Sequence, residues 1–323
     1  MRRWLDMIAA GQPFRRIALD AGMHAAAGMV DLLPRMKDRM ATCLLIEDIE
    51  YVRHGDVALR LDILQPQGPG PYPVLIYLHG GAFAIGSKRT HRAMAVAYAS
   101  RGYLVCNIDY RLAPEFPFPA ALEDACNAWL WALEHVGSYG GDTSRIGLAG
   151  ESAGANLALS VTLACCTPRP ESFAKPISER GLRPLVTLLY YGFLQTSMPA
   201  RYRRSGVSAL AASIASDAAG SYLGRFADYP ARQHALADPL CVIEAMQAAP
   251  GLPPVFIAAG LDDPVAVDSQ RLELALQRLQ SPCSAHYYAG ETHGFHVMFW
   301  REQAIQCWRD SYEFRHQYLP VKV

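Results

Sequence analysis

Apolar residues follow two different spacings along the first part of the chain, and each spacing predicts its own kind of element. Residues 1 to about 41 have apolar positions three and four apart, which indicates helices without a strand signal. Residues 58–63 then alternate between apolar and polar, which predicts a half-buried strand paired with residues 50–53 through a turn at 54–55. Helices therefore precede a hairpin.

Short, continuous apolar runs follow this hairpin, and each has the character of a buried strand. They lie at residues 74–78, 103–108, 146–149, 186–191, 255–259 and 285–288. Segments of helical length separate the runs, which is typical of a mainly parallel sheet covered by helices on both faces. The interval 193–249 interrupts this alternation, with a small-residue helical stretch at 208–223 and no convincing strand. An elongated crossover connection is the simplest alternative explanation of that interval.

The pentapeptide Gly150-Glu151-Ser152-Ala153-Gly154 stands between one of these apolar runs and an amphipathic stretch. This context predicts a strand, a sharp turn and a helix, with Ser152 at the turn. A nucleophilic serine in such a turn needs glycine on both sides, because larger side chains would collide with the adjoining strand and helix. The motif also occurs in ordinary glycine-rich turns, so it indicates a nucleophile only in combination with other catalytic groups.

A second glycine-rich segment, HGGAF at residues 79–83, follows the apolar run at 74–78. Acyl transfer passes through a tetrahedral oxyanion, and backbone N–H groups in a glycine-rich loop can point at that oxygen without obstruction from side chains. The segment therefore predicts an oxyanion hole, with donors at Gly81, Ala82 and Ala153. The predicted hole comprises Gly80, Gly81, Ala82 and Ala153.

Ten histidines are available to act as the base for Ser152. His293 is the candidate, because it follows the strand-like residues 285–288 and a loop, and an open α/β sheet gathers its active groups at the carboxyl ends of its strands. His296 is the nearby alternative, for which we favour a stacked or core position. His79 precedes the serine, whereas the order along the chain that accompanies a nucleophilic serine turn of this kind is Ser, Asp, His, so we expect His79 to bond to the backbone of the oxyanion loop.

Three aspartates compete to orient the histidine: Asp238, Asp262 and Asp263. Asp262 and Asp263 lie in the loop after the apolar run at 255–259, whereas no such strand precedes Asp238. We choose Asp263, because the proline that follows it fixes the local backbone. The stretch of sequence between Asp263 and His293 then has room for one helix, at 266–279, and one strand. Asp262 remains an alternative.

These motifs, taken in order, resemble those of the bacterial hormone-sensitive-lipase-like family of α/β-hydrolase esterases. The last third is especially similar to acetyl esterases. The sequence departs from the family pattern at Ala82, where the family often has glycine, at Val265, where it often has leucine, and at Glu151, where acetyl esterases often have aspartate. The matching segments are HGGAF (79–83), DYRLAPEFPFPAALED (109–124), SRIGLAGESAGANLAL (144–159), LPPVFIAAGLDDPVAVDS (252–269) and YYAGETHGF (287–295).

The resemblance implies an α/β-hydrolase fold, with a mostly parallel central sheet flanked by helices and a helical cap over the catalytic mouth. It implies a serine carboxylesterase that cleaves short-chain acyl esters through an acyl-enzyme intermediate, without a cofactor or a metal. We expect one domain over residues 1–323, with residues 1–45 and 193–249 as the cap and residues 46–192 and 250–323 as the catalytic core.

Two further carboxylates are expected to support the site. Glu151 would brace the turn by hydrogen bonding, since a second base beside Ser152 has no evident proton to move. Asp268 is expected either to support the catalytic groups or to be an N-terminal carboxylate on a surface helix. Amidase or lactonase activity with the same three residues, Ser152, Asp263 and His293, stays open. A non-catalytic small-molecule receptor on the same fold also stays open, although all three catalytic residues are present.

Composition narrows the partners and the compartment. Lys and Arg together number 30, as do Asp and Glu, so the formal net charge is zero and no field favours nucleic acid or anionic lipid. Asp6, Asp20 and Asp31 interrupt every apolar stretch near the start, so we expect no leader and no stable membrane association. Eight cysteines without a C-x-x-C pair fit free thiols in the cytoplasm. The family resemblance suggests a homodimer through the last strand.

Overall fold

Eight strands within the described residues form one sheet. The computed structural model describes residues 2–202 (side chains from 16), 209–224 (side chains from 212), 235–249 and 251–321. Residues 203–208 and 225–234, which the sequence assigns to the cap, lie outside the described residues. The strands are β1 Cys43–His54, β2 Val57–Pro66, β3 Tyr72–Leu78, β4 Leu104–Ile108, β5 Gly141–Glu151, β6 Thr187–Tyr190, β7 Val255–Gly260 and β8 Cys283–Tyr288.

The sheet has the order β1-β2-β4-β3-β5-β6-β7-β8. Pairing is antiparallel between β1 and β2 and between β2 and β4, and parallel from β4 to β8. In register, Leu78 of β3 lies beside Gly150 of β5, and Glu151 of β5 lies beside Tyr190 of β6. Because parallel strands end at the same edge, the loops after β3, β5, β6, β7 and β8 meet there.

Helices flank this sheet, as the alternation of apolar runs predicts. The predicted mostly parallel α/β architecture is confirmed. The helices in the described residues are α1 Arg2–Asp31, α2 Pro34–Met40, α3 Arg92–Ala99, α4 Ala120–His135, α5 Ala153–Cys166, α6 Lys175–Arg180, α7 Ala209–Leu223, α8 Pro239–Ala245, α9 Ala266–Arg278 and α10 Glu302–Tyr318.

The hairpin β1/β2 is longer than its sequence pattern indicates. The register shifts between Ile46 and Ile49 and again between Glu50 and Val52, and such irregularities break the alternation that marks a strand. β1 therefore begins at Cys43, and the last three residues of the segment 1–45 belong to the sheet.

The helix after the glycine-rich serine turn, α5, is buried on every side, so the prediction of an amphipathic helix is wrong. Its polar residues are satisfied internally. Asn156 Nδ2 donates to the carbonyl of Phe193, and Ser160 Oγ donates to the carbonyl of Leu236. These bonds tie the segments after β6 and before α8 to the centre of the molecule, since buried polar groups require partners.

Candidate active site

The turn at Ser152 joins β5 to α5 in a strained conformation. Ser152 has φ 52° and ψ −116°, in the positive-φ region that residues with a Cβ rarely adopt. A Cβ on Gly150 would lie 2.3 Å from the Gly154 carbonyl oxygen, and one on Gly154 would lie 2.0 Å from the Leu78 oxygen. Both glycines are therefore required by packing, as the motif predicts, and the turn presents the Ser152 side chain at the end of the sheet.

Three predicted residues meet at this edge of the sheet. His293 Nε2 lies 2.9 Å from Ser152 Oγ, and His293 Nδ1 lies 2.8 Å from Asp263 Oδ2. The Asp263 side chain is fully buried, whereas His293 keeps 42 % of its side-chain exposure. A molecule entering from solvent can therefore reach the serine and the histidine, but it cannot reach the carboxylate.

The geometry distinguishes between the three candidate aspartates. Asp263 bonds to His293, and its second oxygen, Oδ1, accepts from the backbone N–H of Val265 at 2.9 Å. Asp262 is exposed. Asp238 is buried, and its Oδ1 accepts from the backbone of Thr196 and from other groups of that segment. Asp263 alone of the three contacts the histidine.

Opposing effects set the basicity of His293. Desolvation lowers its pKa, but the charge and hydrogen bond of Asp263, together with the charge of Glu151, outweigh that effect. The pKa of His293 therefore lies above the usual range for histidine. A raised pKa strengthens the imidazole as an acceptor of a proton from Ser152 Oγ.

The HGGAF loop runs directly past the serine turn. A Cβ on Gly80 would lie 3.5 Å from Ser152 Cβ, so the two segments are in contact. Gly81 has φ 120° and Ala82 has φ 56°, and a Cβ on Gly81 would lie only 2.0 Å from the Ile85 carbonyl oxygen. Within the described residues, the N–H groups of Gly81, Ala82 and Ala153 donate to no protein acceptor. These are the three predicted oxyanion donors.

His79 and His296 lie in the interior rather than beside Ser152 Oγ. His79 Nδ1 contacts the Gly80 carbonyl oxygen at 2.7 Å, and burial lowers the pKa of His79 to about 3. This is the predicted backbone bond of the oxyanion loop. His296 is fully buried and stacked against Tyr190, with ring centroids 4.6 Å apart, and burial lowers its pKa to about 4.

The carboxylate of Glu151 is buried beneath the turn. Tyr191 Oη donates to Glu151 Oε2 at 2.6 Å, and His91 Nε2 lies 2.9 Å from Glu151 Oε1. Burial alone would raise the pKa of Glu151, but the charge and hydrogen bond of His91 and the charge of His296 bring that pKa well below its usual range. Glu151 is thus an ionised group within the turn at Ser152.

Asp268 is fully buried in the first turn of α9, so the interpretation as a surface carboxylate is wrong. Its Oδ2 accepts from the backbone N–H groups of Leu194 and Gln195 at 3.0 and 3.2 Å. Arg201 Nη2 and Tyr202 Oη also donate to Oδ2, at 2.6 and 2.7 Å. Asp268 therefore fixes the segment that leaves β6 beside the site, and it does so without contacting His293 within the described residues.

Two residues of the site escape sequence reasoning. His91 follows the HGGAF segment by eight residues and belongs to no motif, and the path of that loop brings it to Glu151. Tyr191 directly follows β6 with φ 37°, and its ring centroid lies 4.8 Å from that of His293. A hydroxyl-bearing aromatic residue at the carboxyl end of a predicted parallel strand is a signal that could have identified it.

Two helical segments reach the HGGAF loop from outside the sheet. Asp20 of α1 accepts from the backbone N–H of Gly86 at 2.9 Å. Tyr222, near the end of α7, stacks on Phe83 with ring centroids 3.7 Å apart, and its carbonyl accepts from the N–H of Phe118 at 2.6 Å.

One group of side chains in the described residues has the donor types of a cation site: His54, Glu123 and Asp124. Arg111 Nη2 already donates to both carboxylates, to Glu123 at 2.6 Å and to Asp124 at 2.8 Å. The guanidinium supplies the positive charge there, so this cluster is explained as an ion-pair network.

Comparison with known proteins agrees with this fold. The model of a protein family described as 'alpha/beta hydrolase fold' matches residues 75–297 of this chain. The chain belongs to this α/β-hydrolase family, and the resemblance to hormone-sensitive-lipase-like esterases is confirmed. Acetyl esterases from Salmonella schwarzengrund and Salmonella enteritidis are each 31% identical to it over 245 residues, which is 75% of this chain and 70% of theirs.

Solved structures are similar over nearly the whole chain. A bacterial heroin esterase has a TM-score of 0.77 at 24% identity, covering 95% of this chain and 92% of its own. A hyperthermophilic esterase from Pyrobaculum calidifontis has a TM-score of 0.74 at 22% identity, with 94% of each chain covered. At these identities the likeness establishes the fold.

Within the described residues, none of the helices combines the length and the apolar character that crossing a lipid bilayer requires.

Proposed function

We propose that this protein is a serine carboxylesterase that cleaves short-chain acyl esters with Ser152, His293 and Asp263 as its triad. The membership of the chain in a family of carboxylic ester hydrolases supports the reaction class. The observation that carries the proposal is the continuous contact from Asp263 through His293 to Ser152, with distances of 2.8 and 2.9 Å. These distances suit proton transfer to a general base.

In the first half of the reaction, Ser152 Oγ attacks the ester carbonyl carbon while its proton passes to His293 Nε2. Asp263 holds the Nδ1–H tautomer and stabilises the imidazolium. The free N–H groups of Gly81, Ala82 and Ala153 donate to the oxyanion. The imidazolium then protonates the leaving alcohol, the C–O bond to that alcohol breaks, and the acyl group remains on Ser152.

In the second half, a water molecule takes the place of the alcohol. His293 accepts its proton as the water oxygen attacks the acyl carbon, and the same N–H groups stabilise the second oxyanion. Collapse of this intermediate returns the proton to Ser152 Oγ and releases the carboxylic acid. The exposure of His293 supports this role, because water must reach its Nε2.

We further propose that α1 and the interval after β6 act as a cap that limits the acyl chain. Two contacts support this: Asp20 bonds to the loop at Gly86, and Tyr222 stacks on Phe83 beside the proposed oxyanion hole. Each methylene that the pocket buries contributes about 0.8 kcal/mol. Beyond the end of a closed pocket, overpacking costs about 1 to 3 kcal/mol.

A series of p-nitrophenyl esters tests the function and the cap together. We expect kcat/KM to be greatest between acetyl and hexanoyl and to fall for longer chains. Ser152→Ala should lose at least about a thousandfold in kcat with acetyl ester. Failure to hydrolyse any ester, with turnover of lactones or amides instead, would contradict the esterase proposal. Faster turnover of palmitoyl than of butyryl ester would contradict the cap alone.

We also propose a cytoplasmic protein, and the eight cysteines support a reducing compartment because all of them are free thiols. A homodimer through the last strand stays a prediction, and β8 is the edge strand on which it depends.

A further inference from the structure

A buried polar cluster surrounds the side chain of Glu151, the residue that precedes Ser152. We name it the Glu151 cluster, and it consists of Glu151, His91, Tyr191 and His296. Side-chain exposure is 3% for Glu151, 10% for His91 and 0% for His296. Its members come from four separate parts of the chain, and the proposed proton transfers use none of them directly. Burying a charge of this kind costs free energy unless the charge is paired, so we expect the cluster to have a role.

The hydrogen positions on one side of the cluster follow from what each group can donate. Tyr191 Oη lies 2.6 Å from Glu151 Oε2 and 2.6 Å from His296 Nδ1. An ionised carboxylate can only accept, so the single hydroxyl proton of Tyr191 goes to Glu151. His296 Nδ1 must then carry the proton that Tyr191 Oη accepts. The result is a chain of donors from His296 through Tyr191 to the Glu151 carboxylate.

On the other side, both ring nitrogens of His91 face acceptors. Nδ1 lies 3.3 Å from the Ser87 carbonyl oxygen, which can only accept, and 2.8 Å from Thr90 Oγ1, which donates its own proton to that same carbonyl. Nε2 lies 2.9 Å from Glu151 Oε1. Nε2 is therefore the nitrogen that contacts the Glu151 carboxylate, while the turn at Ser87 and Thr90 holds Nδ1.

The contact between His91 and Glu151 connects the two segments that build the proposed oxyanion hole. His91 stacks under His79, the first residue of the HGGAF loop, with ring centroids 5.3 Å apart. Glu151 directly precedes Ser152 in the chain. The pair therefore joins the loop that carries Gly81 to the turn that carries Ala153.

The same carboxylate also acts on the base. Tyr191 places its hydroxyl on Glu151 and its ring against His293, with ring centroids 4.8 Å apart. His293 becomes an imidazolium in the transition state, and a fixed negative charge nearby stabilises that cation. Glu151 thus lies where it can affect both the donors of the oxyanion hole and the charge on His293.

We propose that Glu151 and His91 are positioning residues, whose buried contact holds the HGGAF loop against the Ser152 turn while the Glu151 carboxylate stabilises protonated His293 across the Tyr191 ring. This inference rests on the proposed esterase function, and neither residue contacts the substrate or a reacting atom. The family difference at this position, glutamate in place of the aspartate of many acetyl esterases, supplies a natural conservative substitution.

Several other titratable groups face the two charges that this inference invokes. Around His293 they are Asp263, Glu151, Tyr191 and His296. Around Glu151 they are His91 and His79 from the loop after β3, Tyr77 of β3, Tyr110 after β4, Tyr191 after β6, and His296 and His293 after β8. Of these, Asp263 and Glu151 are the carboxylates that raise the pKa of His293, so removing the charge of Glu151 should lower it.

The experiment compares Glu151→Gln with Glu151→Asp on p-nitrophenyl acetate across pH. Gln keeps the size and an acceptor for Tyr191 but lacks the charge. We expect its kcat to fall about tenfold with KM nearly unchanged, and the inflection of kcat/KM to move to lower pH by about half a pH unit. Glu151→Asp restores a charge, so its inflection should return towards that of the wild type.

Glu273→Gln is the matched control, because Glu273 also accepts a tyrosine hydroxyl, that of Tyr287 at 2.8 Å, at a distance from the triad. Its kcat and inflection should equal those of the wild type. A role of Glu151 in stability alone would lower the melting temperature of Glu151→Gln and leave its inflection in place, and that outcome would overturn the proposal.

A double-mutant cycle tests whether the two residues act as a pair. His91→Gln keeps a donor for Glu151 but lacks the ring that stacks on His79, and we expect it to lose about tenfold in kcat. The double variant His91→Gln with Glu151→Gln should lose about tenfold as well, whereas independent residues would lose about a hundredfold. Losses that multiply would overturn the pairing.

Three further outcomes can be told apart. If Glu151→Gln does not fold, His91→Gln and Tyr191→Phe carry the test, and wild-type kcat in both would overturn the proposal. If the wild type itself hydrolyses no ester, the proposed function fails. An active wild type whose kcat and inflection are indifferent to Glu151→Gln contradicts the positioning role alone.

Discussion

At the scale of single residues, exposure and charge match the order of the proposed proton transfers. Asp263 is sealed from solvent and receives two hydrogen bonds, so its geometry is fixed before substrate arrives. His293 is the exposed member, as a group that exchanges protons with substrate and water has to be. The neighbouring Asp262 has the same chemistry, but it lies in solvent.

Replacing Asp263 by Asn should therefore lower kcat far more than replacing Asp262. An amide at position 263 favours the wrong tautomer of His293, and a comparable change costs about 10⁴-fold in a serine protease. Asp262→Asn should retain nearly wild-type kcat, because its side chain faces water. Steady-state kinetics on p-nitrophenyl acetate measure both. A dead Asp262→Asn beside an active Asp263→Asn would show that the acid has been assigned one residue too late.

The sequence indicates Ser152, Asp263 and His293 as candidates because each of them follows a predicted strand. The sequence does not predict the partners of Glu151, because no local pattern relates His91 to Glu151. It also leaves the role of Asp268 undecided, because the first turn of a helix looks the same in sequence whether that turn is exposed or buried. Tertiary packing of the segment after β6 decides the matter.

At the scale of elements, the turn between β5 and α5 depends on close backbone approach. Gly154 packs against the end of β3, and a Cβ there would lie 2.0 Å from the Leu78 oxygen and 2.5 Å from the His79 oxygen. Backbone atoms of a central strand cannot move away cheaply, since β3 is paired on both sides. The turn and the oxyanion loop are therefore fixed against each other.

Gly154→Ala should lower the free energy of unfolding by about 3 kcal/mol or more, the cost of overpacking a rigid site. Gly28→Ala is the matched control, because Gly28 is exposed within α1 and a Cβ there meets nothing within 4 Å. That substitution should raise the free energy of unfolding by about 0.5 to 1 kcal/mol through helix propensity. Urea denaturation measures both. A Gly154→Ala protein as stable as the wild type would contradict the packing described for the turn between β5 and α5.

Element types were predictable wherever the apolar pattern was regular. The six runs correspond to β3 to β8. Strands buried on both faces, such as β3 and β7, are continuously apolar, whereas β8 at the edge of the sheet is only partly buried. The pattern was misleading in β1, where register shifts break the alternation, and in α5, where packing on all sides leaves no polar face. Local periodicity reports exposure, so it is least informative for elements whose exposure the whole fold determines.

At the scale of the whole molecule, parallel topology brings distant parts of the chain to one edge of the sheet. The loops after β3, β5, β6, β7 and β8 supply the oxyanion loop, the serine, Tyr191, the aspartate and the histidine in turn. Apart from Tyr191, the sequence predicts this convergence, because the alternation of strands and helices indicates a mainly parallel sheet. Positions of the outer helices over that edge depend on contacts such as Tyr222 on Phe83, which carry no sequence motif.

The pH profile of hydrolysis reports on this assembled environment. His293 must be neutral to accept the Ser152 proton, so kcat/KM should fall as the pH drops through the pKa of His293. Because the surrounding carboxylates raise that pKa, the inflection should lie above the value of about 6.5 for free histidine. Activity should persist at alkaline pH. A flat profile from about pH 5 to 8 in folded protein would contradict a histidine base.

The central claim is that Ser152 is the nucleophile, and covalent labelling tests it most directly. An organophosphonate bearing a fluorophore should phosphonylate the wild-type protein at one site, which peptide mass spectrometry should locate at Ser152. Ser152→Ala should fold, bind no label and lose esterase activity. A label on any other residue, or a Ser152→Ala protein that still hydrolyses p-nitrophenyl acetate at the wild-type rate, would contradict the account.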